Sequence, residues 1–564
     1  MRFGDAVQEQ QRPDHWRLPT ERTSGVKSVA ATDLGCPAGA EAVRVSTFLR
    51  STRPITSIGS TGSDLTTTDV LVAGAGPAGL ATAVTALRHG ARVLVVERRP
   101  GTSTLPRATG ISTRTMELFR AWGVADAVRA GSIDCDLRVA VTRTLADAPD
   151  ELVPFNYPTV HEALAVSPAF PAVAPQDHIE PVLAAEVRRL GGEIRFSTPL
   201  VGLREVPDGV HAHLGRAGRP ATAGVADVVR ARFVVGADGP RSAVRAALGI
   251  DSEHLGTLGE FAQVLFRPDL AALLGRQMPG LSFVQHPDAE GVLQPVGRGR
   301  WTFARRWRPE LGERPQDFTP ERWTALLRTA TGLPDLRPEF LDAQPFTMAA
   351  EVAAAFRAGP GFLVGDAANE LGWRLAWAVR GLGGDALLDS YAVEREPVGR
   401  ALAARSLREG REPSDGLVGD LGRTYRSAVI ADDGDPAPMG VRTARPGERA
   451  PHVWVRWSDR RVSTLDLFEN RLTLLTGGGG DGWHRAADRM PGTPVGVFAV
   501  GSDLPDPRGA LGRAYRLGAG SAVLVRPDGI VSWRHDGPVV NHAAALSSAV
   551  GTALGWPARA AVAV

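Results

Sequence analysis

The chain has 564 residues and a mass of 59.7 kDa, with 43% apolar and 22% charged residues, an ordinary globular mix that excludes a wholly disordered chain. Basic and acidic residues number 64 and 62, so no electrostatic footprint for nucleic acid or a membrane follows. Two cysteines, Cys36 and Cys135, exclude a disulfide scaffold and a Cys-based zinc site, and a single lysine, Lys27, removes Schiff-base chemistry from the folded part. At about 150 residues per domain the length corresponds to three or four domains. There is no run of ~18 apolar residues and no apolar stretch behind the N-terminal MRFGDAVQEQ, so the expected location is cytoplasmic.

Residues 1–66 carry no period of 2 or 3.6 and are rich in Ser, Thr, Arg and Pro, which predicts a disordered extension. Order begins at Asp69. DVLVAGAG reads as a buried strand ending in glycines, PAGLATAVTALRHG as a helix closing on Gly90, and ARVLVVERRP as a second buried strand. Strand, helix and strand within about 30 residues make a βαβ unit and hence a parallel sheet. Residues 138–172 read as irregular, 176–192 as a helix and 231–239 as another strand ending in glycine. FAQVLF, LSFVQH, GVLQPV and WTFARRW, between 261 and 307, alternate with turn residues and predict an antiparallel sheet. FLVGDAA (362–368) is a further strand with a Gly-Asp end. Two helices follow, then a Gly/Asp/Pro-rich linker near 409–450, then a small α/β domain built on RLTLLT, VGVFAV and SAVLVRPDG-IVSWR.

Gly74-Ala75-Gly76-Pro77-Ala78-Gly79 fits GxGxxG at a strand-to-helix junction, and Glu97 ends the next strand 18 residues after Gly79. Gly74 permits the tight turn, Gly76 lets backbone approach a pyrophosphate, and Gly79 lets helix and sheet pack closely. The helix N-terminus offers free N–H groups to the anion, and the acidic group can hold a ribose. This predicts a dinucleotide site. A second match, Gly477 to Gly482 with Asp503 about 20 residues on, stands open between a nicotinamide site and a flexible loop.

Three motifs together resemble the FAD-dependent aromatic hydroxylases of the para-hydroxybenzoate and phenol hydroxylase type, closest to the branch acting on polyketides and other polycyclic phenols. They are VLVAGAGPAGL (70–80) with Glu97 and Arg98, VVGADGPRSAVRAALGI (234–250) with Asp238 and Gly239, and FLVGDAA with Gly365 and Asp366. The resemblance extends through PRATGISTRTMELFRAWGV (106–124), PQDHIEPVLAAEVRRLG (175–191) and LLDSYAVEREPVGRAL (387–402). It implies an α/β Rossmann-type FAD-binding domain (67–145, 173–250 and 350–412) interleaved with an antiparallel-sheet substrate domain (146–172 and 251–349), and a thioredoxin-like C-terminal domain (425–564). That last domain has no cysteine, so thiol redox work is excluded.

The resemblance also implies roles. Glu97 would hold the adenosine ribose, Arg107 would contact the pyrophosphate side and Gln176 would contact FAD from the start of its helix. Asp238 would serve the pyrophosphate and the reductant groove, and Asp366 the ribitol chain. Arg114 stands open between a place near the cofactor and a solvated helix face. The implied reaction is NAD(P)H reduction of FAD, O₂ addition at flavin C4a and oxygen transfer to an electron-rich ring. No side chain need be the base, and none is assigned as catalytic; no metal is expected. Phe266, Phe283 and Trp301 are candidates for walling an apolar substrate pocket or for simple core packing. The remaining partner expected is a second copy of the chain.

The sequence departs from the family in one place. Where members carry a loop of the kind PPxGGxGxNxGxxDA after the Gly-Asp motif, Gly365-Asp366-Ala367-Ala368 runs straight into Asn369-Glu370-Leu371-Gly372-Trp373. The gap is roughly a dozen and a half residues, longer than a typical connection. Two alternatives to an active hydroxylase follow: a member that binds FAD weakly or not at all and has no hydroxylase activity, and another flavin-dependent oxidoreductase.

Overall fold

The structure, a computed structural model, describes residues 65–154, 157–216, 225–268, 278–365, 368–407, 416–432 and 444–557. Of the segment 1–66 predicted to be disordered, residues 1–64 lie outside them, and Thr66 is already part of a strand. The first strand, β1 (Thr66–Ala73), begins three residues before Asp69, because Thr66–Thr68 already pair with residues 229–231.

The βαβ unit forms as read: β1, helix α1 (Pro77–Arg88) and β2 (Val93–Val96), with β1 and β2 parallel from Val70↔Val93 to Ala73↔Val96. Val70, Val72 and Val95 are fully buried beneath α1, which accounts for their unbroken apolar run in a sheet covered on both faces. Farther on, helix α2 (Thr113–Trp122) and helix α3 (Gln176–Arg189) precede strands β3 (Asp227–Gly236) and β4 (Gly361–Leu363). The order across the parallel part is β4, β3, β1, β2, then Glu193–Arg195. β1 pairs parallel with β3 (Ala73↔Gly236), and β3 with β4 (Gly236↔Leu363). This register brings the ends of β2, β1, β3 and β4 side by side, at the carboxyl edge where open α/β sheets bind ligands.

A second sheet runs Glu339–Ala353, Ser252–Arg267, Trp301–Arg306, Gly291–Pro295, Pro279–Val284, Asp136–Thr142 and Glu151–Pro154. It is antiparallel except where Pro279–Val284 meets Asp136–Thr142. Two expectations change here. The region 138–172 is not irregular: it supplies two strands, then a helix, Val160–Val166, opened by a Thr159/Glu162 capping box. The expected domain boundary at 145 also cuts into this sheet, since Asp136–Thr142 belongs to it.

Helix α4 (Ala368–Val379) follows β4 after residues 364–367, and α5 (Asp385–Ser406) after a short turn. Trp373 and Trp377 of α4 are fully buried and meet edge to face with ring centroids 5.2 Å apart. The C-terminal sheet has the order Val495–Ala499, Leu472–Thr476, Ala522–Val525, Val531–His535, parallel in the first pair and antiparallel in the others. Helices α6 (Asp481–Asp488) and α7 (His542–Ala553) pack together on it. No described helix is long and apolar enough to cross a membrane.

Candidate functional site

The carboxyl edge of the parallel sheet carries the first part of the site. Gly74 has φ +109°, a left-handed conformation costly for other residues, and a Cβ there would overlap the carbonyl oxygen of Ala237 at the end of β3. A Cβ on Gly79 would overlap the carbonyl oxygen of Gly74. Gly76 differs: nothing lies within 4 Å of the place its Cβ would take. Two of the three glycines thus serve packing, and the third faces open space in front of α1. Gly76 is the N-cap of α1 and Pro77 its first residue, and no side chain caps the helix. The backbone N–H groups of Ala78 and Gly79 therefore have no intrahelical acceptor and point, with the positive end of the helix dipole, into that space.

Glu97 extends from β2 back to the turn. Its Oε2 accepts from Ala75 N (2.9 Å) and its Oε1 from Arg99 N (2.9 Å), so the carboxylate is held by two backbone donors with lone pairs to spare. Arg98 is exposed beside it. At the end of β3, Asp238 accepts from Ser242 Oγ, Ala243 N (2.6 Å) and Val244 N (3.3 Å), capping the short helix Ala243–Ala247. Gly239 follows with φ +84°. Gly365 is open and exposed beyond β4, whereas Asp366 lies outside the described residues.

The segment Leu105–Ile111 joins this edge to the second sheet. Gln176 N, at the start of α3, donates to Ala108 O (2.8 Å), and Ala174 N donates to Thr109 O (2.8 Å). From the other side Gln294 Nε2 donates to Thr109 Oγ1 (2.7 Å), clasping the segment to the sheet. Arg107 is exposed and, with Leu105 and Pro106, faces Gln263, Leu265, Thr302, Asp342 and Gln344 across a cleft. Burial lowers its affinity for the proton, as do the neighbouring Arg99 and Arg98, against Glu180 and Asp342, which raise it.

The second sheet is two-faced. Phe266 and Trp301 lie on the face packed under helix Pro320–Thr331, in a core with Phe303 and Trp323. They do not line the cleft. Strand alternation puts the half-buried Phe283 on the opposite face, one residue out of step with core Val284.

The sequence reading did not single out Glu180. It is buried on α3 and accepts from Ser103 N and from Gln176 Nε2. Burial raises its pKa, against the hydrogen bonds from Ser103 and Gln176. The i, i+4 spacing of Gln176 and Glu180 on one helix was the available signal.

Arg114 is not on a solvated helix face. Its guanidinium bonds Glu117 (3.0 Å) and the carbonyl of Asp528 in the C-terminal domain. Glu117 also takes Arg449 and Ser167 Oγ (2.7 Å). Burial pushes this carboxyl up, but Arg449 and Arg114 outweigh it and hold it down at about 2. A second cluster ties α4 and α5 to the same domain. Glu394 accepts from Arg374 Nη2 (2.6 Å), Arg526 Nη1 (2.7 Å) and Ser427 Oγ (2.7 Å), with Arg374, Glu394 and Arg526 all sealed from solvent. No local pattern foretells pairs 132 residues apart.

The glycine run at 477–482 is packed where it leaves its strand. A Cβ on Gly477 would overlap Gly518 O, and one on Gly480 would overlap Ala499. Asp503 accepts from Ala499 N (2.8 Å) and bonds His484 Nε2 (2.9 Å). Among the described residues no cluster of three or more His, Cys, Asp or Glu could hold a metal ion.

Residues 67–371 match the FAD binding domain family, and residues 443–557 match the aromatic-ring hydroxylase C-terminal family. The chain is 40% identical to aklavinone 12-hydroxylase RdmE of Streptomyces purpurascens over 518 residues, 83% of this chain and 95% of that one. Among solved structures it is similar to aklavinone-11 hydroxylase in a ternary complex with FAD and aklavinone, with a TM-score of 0.80, 37% identity and coverage of 86% of this chain and 99% of that one. It is also similar to the flavin-dependent monooxygenase PieE in complex with FAD and substrate, with a TM-score of 0.77 and 27% identity, covering 88% of this chain and all of that one.

Proposed function

The chain belongs to the FAD-dependent aromatic-ring hydroxylases, and from that premise we propose that it hydroxylates a polycyclic phenol of the polyketide type with electrons from NAD(P)H. One observation carries the reading. The ends of four parallel strands stand in register around an uncapped helix N-terminus, and the Leu105–Ile111 segment links that edge to the uncovered face of the second sheet.

The residues fit the cofactor. The open space before Gly76 would admit a pyrophosphate, and the Ala78 and Gly79 N–H groups would hold it. Glu97, already fixed by two backbone donors, has lone pairs left that would accept from the ribose hydroxyls. Arg107 and Gln176 lie where the FAD edge meets the second sheet, with Gln176 steered by Glu180. Asp238 shapes the end of β3 by capping the helix that follows, and Gly365 extends the edge beyond β4. When bound, FAD supplies the redox chemistry, passing electrons from NAD(P)H to O₂ and one oxygen atom to the ring; the protein supplies binding, orientation and a dry cleft. The expected pairing with a second copy of the chain is tested by the mass in gel filtration.

Purified protein is expected to be yellow and to oxidise NAD(P)H faster when a polycyclic phenol is added, giving a product one oxygen heavier. A colourless protein that takes up no added FAD overturns the reading. The alternative of a member without turnover rests on the four-residue connection 364–367 between β4 and α4. It predicts FAD uptake without hydroxylated product.

A further inference from the structure

The face of the second sheet turned away from helix Pro320–Thr331 carries polar side chains that are half-buried, where such a face ordinarily gives its polar groups to solvent. Gln263 stands directly opposite Gln344, and Leu265 stands opposite both Asp342 and Thr302. Cross-strand partners share a face, so these five make one contiguous patch. The alternate residues Ala262, Val264 and Phe266 go into the core on the other side. The patch forms one wall of the cleft, and Leu105, Pro106 and Arg107 form the other. Among the described residues, the side chains of Gln263, Asp342 and Gln344 have no hydrogen-bond or ion-pair partner, although each is half-buried. Arg107 and Asp342 share the cleft without closing an ion pair.

We propose that this patch is the specificity-determining reader of the substrate's polar edge, with Asp342 accepting a hydrogen bond from a ring hydroxyl and the Gln263 and Gln344 amides donating to a neighbouring ring carbonyl. This rests on the polycyclic-phenol reading above. An ionised carboxylate is an acceptor only. It rewards a substrate O–H and is left unpaired by an ether or a bare ring carbon at the same place. Leu265, between the polar groups and itself buried, offers an apolar surface to a flat ring. The two amides can both donate and accept, so they suit the carbonyl that lies beside a hydroxyl in a hydroxyquinone. A site built to bond a hydroxyl rejects the analogue that lacks it far more strongly than an apolar pocket can.

The test uses FAD-loaded full-length protein and three probes in equilibrium dialysis: 1,8-dihydroxyanthraquinone, 1,8-dimethoxyanthraquinone and anthraquinone. Wild type is expected to prefer the dihydroxy compound by roughly 10-fold to 100-fold, the range of a hydrogen bond to a charged group. Asp342→Leu is expected to lose that preference while binding anthraquinone as well as wild type does. Asp342→Asn, equal in size and with an unchanged melting temperature, is expected to fall between the two. Wild-type preference that survives in Asp342→Leu overturns the role of Asp342 and leaves the substrate reading standing. Failure of wild type to bind any of the three overturns the substrate reading and the proposal with it.

Discussion

Replacing Gly76 with alanine separates binding from folding. Gly76 has φ −74° and ψ 176°, which alanine adopts without strain, and no atom lies within 4 Å of the added methyl. Restricting the unfolded chain should therefore raise the stability of the FAD-free protein by about 0.4–1 kcal/mol. The methyl enters the space before α1 that the pyrophosphate is proposed to occupy. Displacing the anion weakens one or two charge-assisted hydrogen bonds to Ala78 and Gly79, about 2–4 kcal/mol, or roughly 30-fold to 1,000-fold in Kd. FAD titration followed by flavin fluorescence, with a melt of the FAD-free protein, measures both effects. Gly79→Ala is the contrast, since its methyl would overlap Gly74 O and must move backbone. If Gly76→Ala binds FAD as wild type does, the pyrophosphate does not lie against this turn. A Gly76→Ala protein that melts well below wild type would show that the open space is a packing requirement instead.

Glu394→Leu leaves Arg374 and Arg526 buried with one carboxylate, Asp528, between them, and should cost about 3–5 kcal/mol. For roughly 500 residues melting together that is a drop of about 3–5 °C, and an unchanged melt would remove the cluster from the forces holding α4 to the C-terminal domain. His89 is held down at about 3 by burial and by Arg88 and Arg380, so it stays neutral in the fold while the unfolded chain protonates below about 6.5. Stability from this group is complete above pH 6.5 and falls with pH toward 3, by about 2 kcal/mol at pH 5. Denaturant titrations at pH 7.5 and 5 should show a smaller drop for His89→Phe than for wild type, and equal drops would refute the assignment. Inserting a loop of the PPxGGxGxNxGxxDA kind after Ala368 should raise the hydroxylated product formed per NAD(P)H consumed; an unaltered ratio would mean that the short connection does not limit the chemistry.

What could be read from the sequence was what is settled within a few residues. The βαβ unit, its glycine turn and Glu97 fall within 32 residues, and each follows from strand and helix periodicity or from a single left-handed glycine. The strands of the second sheet were legible from alternation. Alternation divides residues between two faces but does not say which face is covered, and helix Pro320–Thr331 decided that against Phe266 and Trp301. Arg114 could be read as lying on a solvated helix face until Asp528, more than 400 residues away, took its guanidinium. Asp238 sits where its motif predicts, yet which groups its carboxylate bonds was settled by the turn into helix Ala243–Ala247. Local backbone preferences are written in neighbouring residues. Burial, ion pairing and the register that aligns four strand ends depend on which distant segments meet, and only the tertiary structure brings them together.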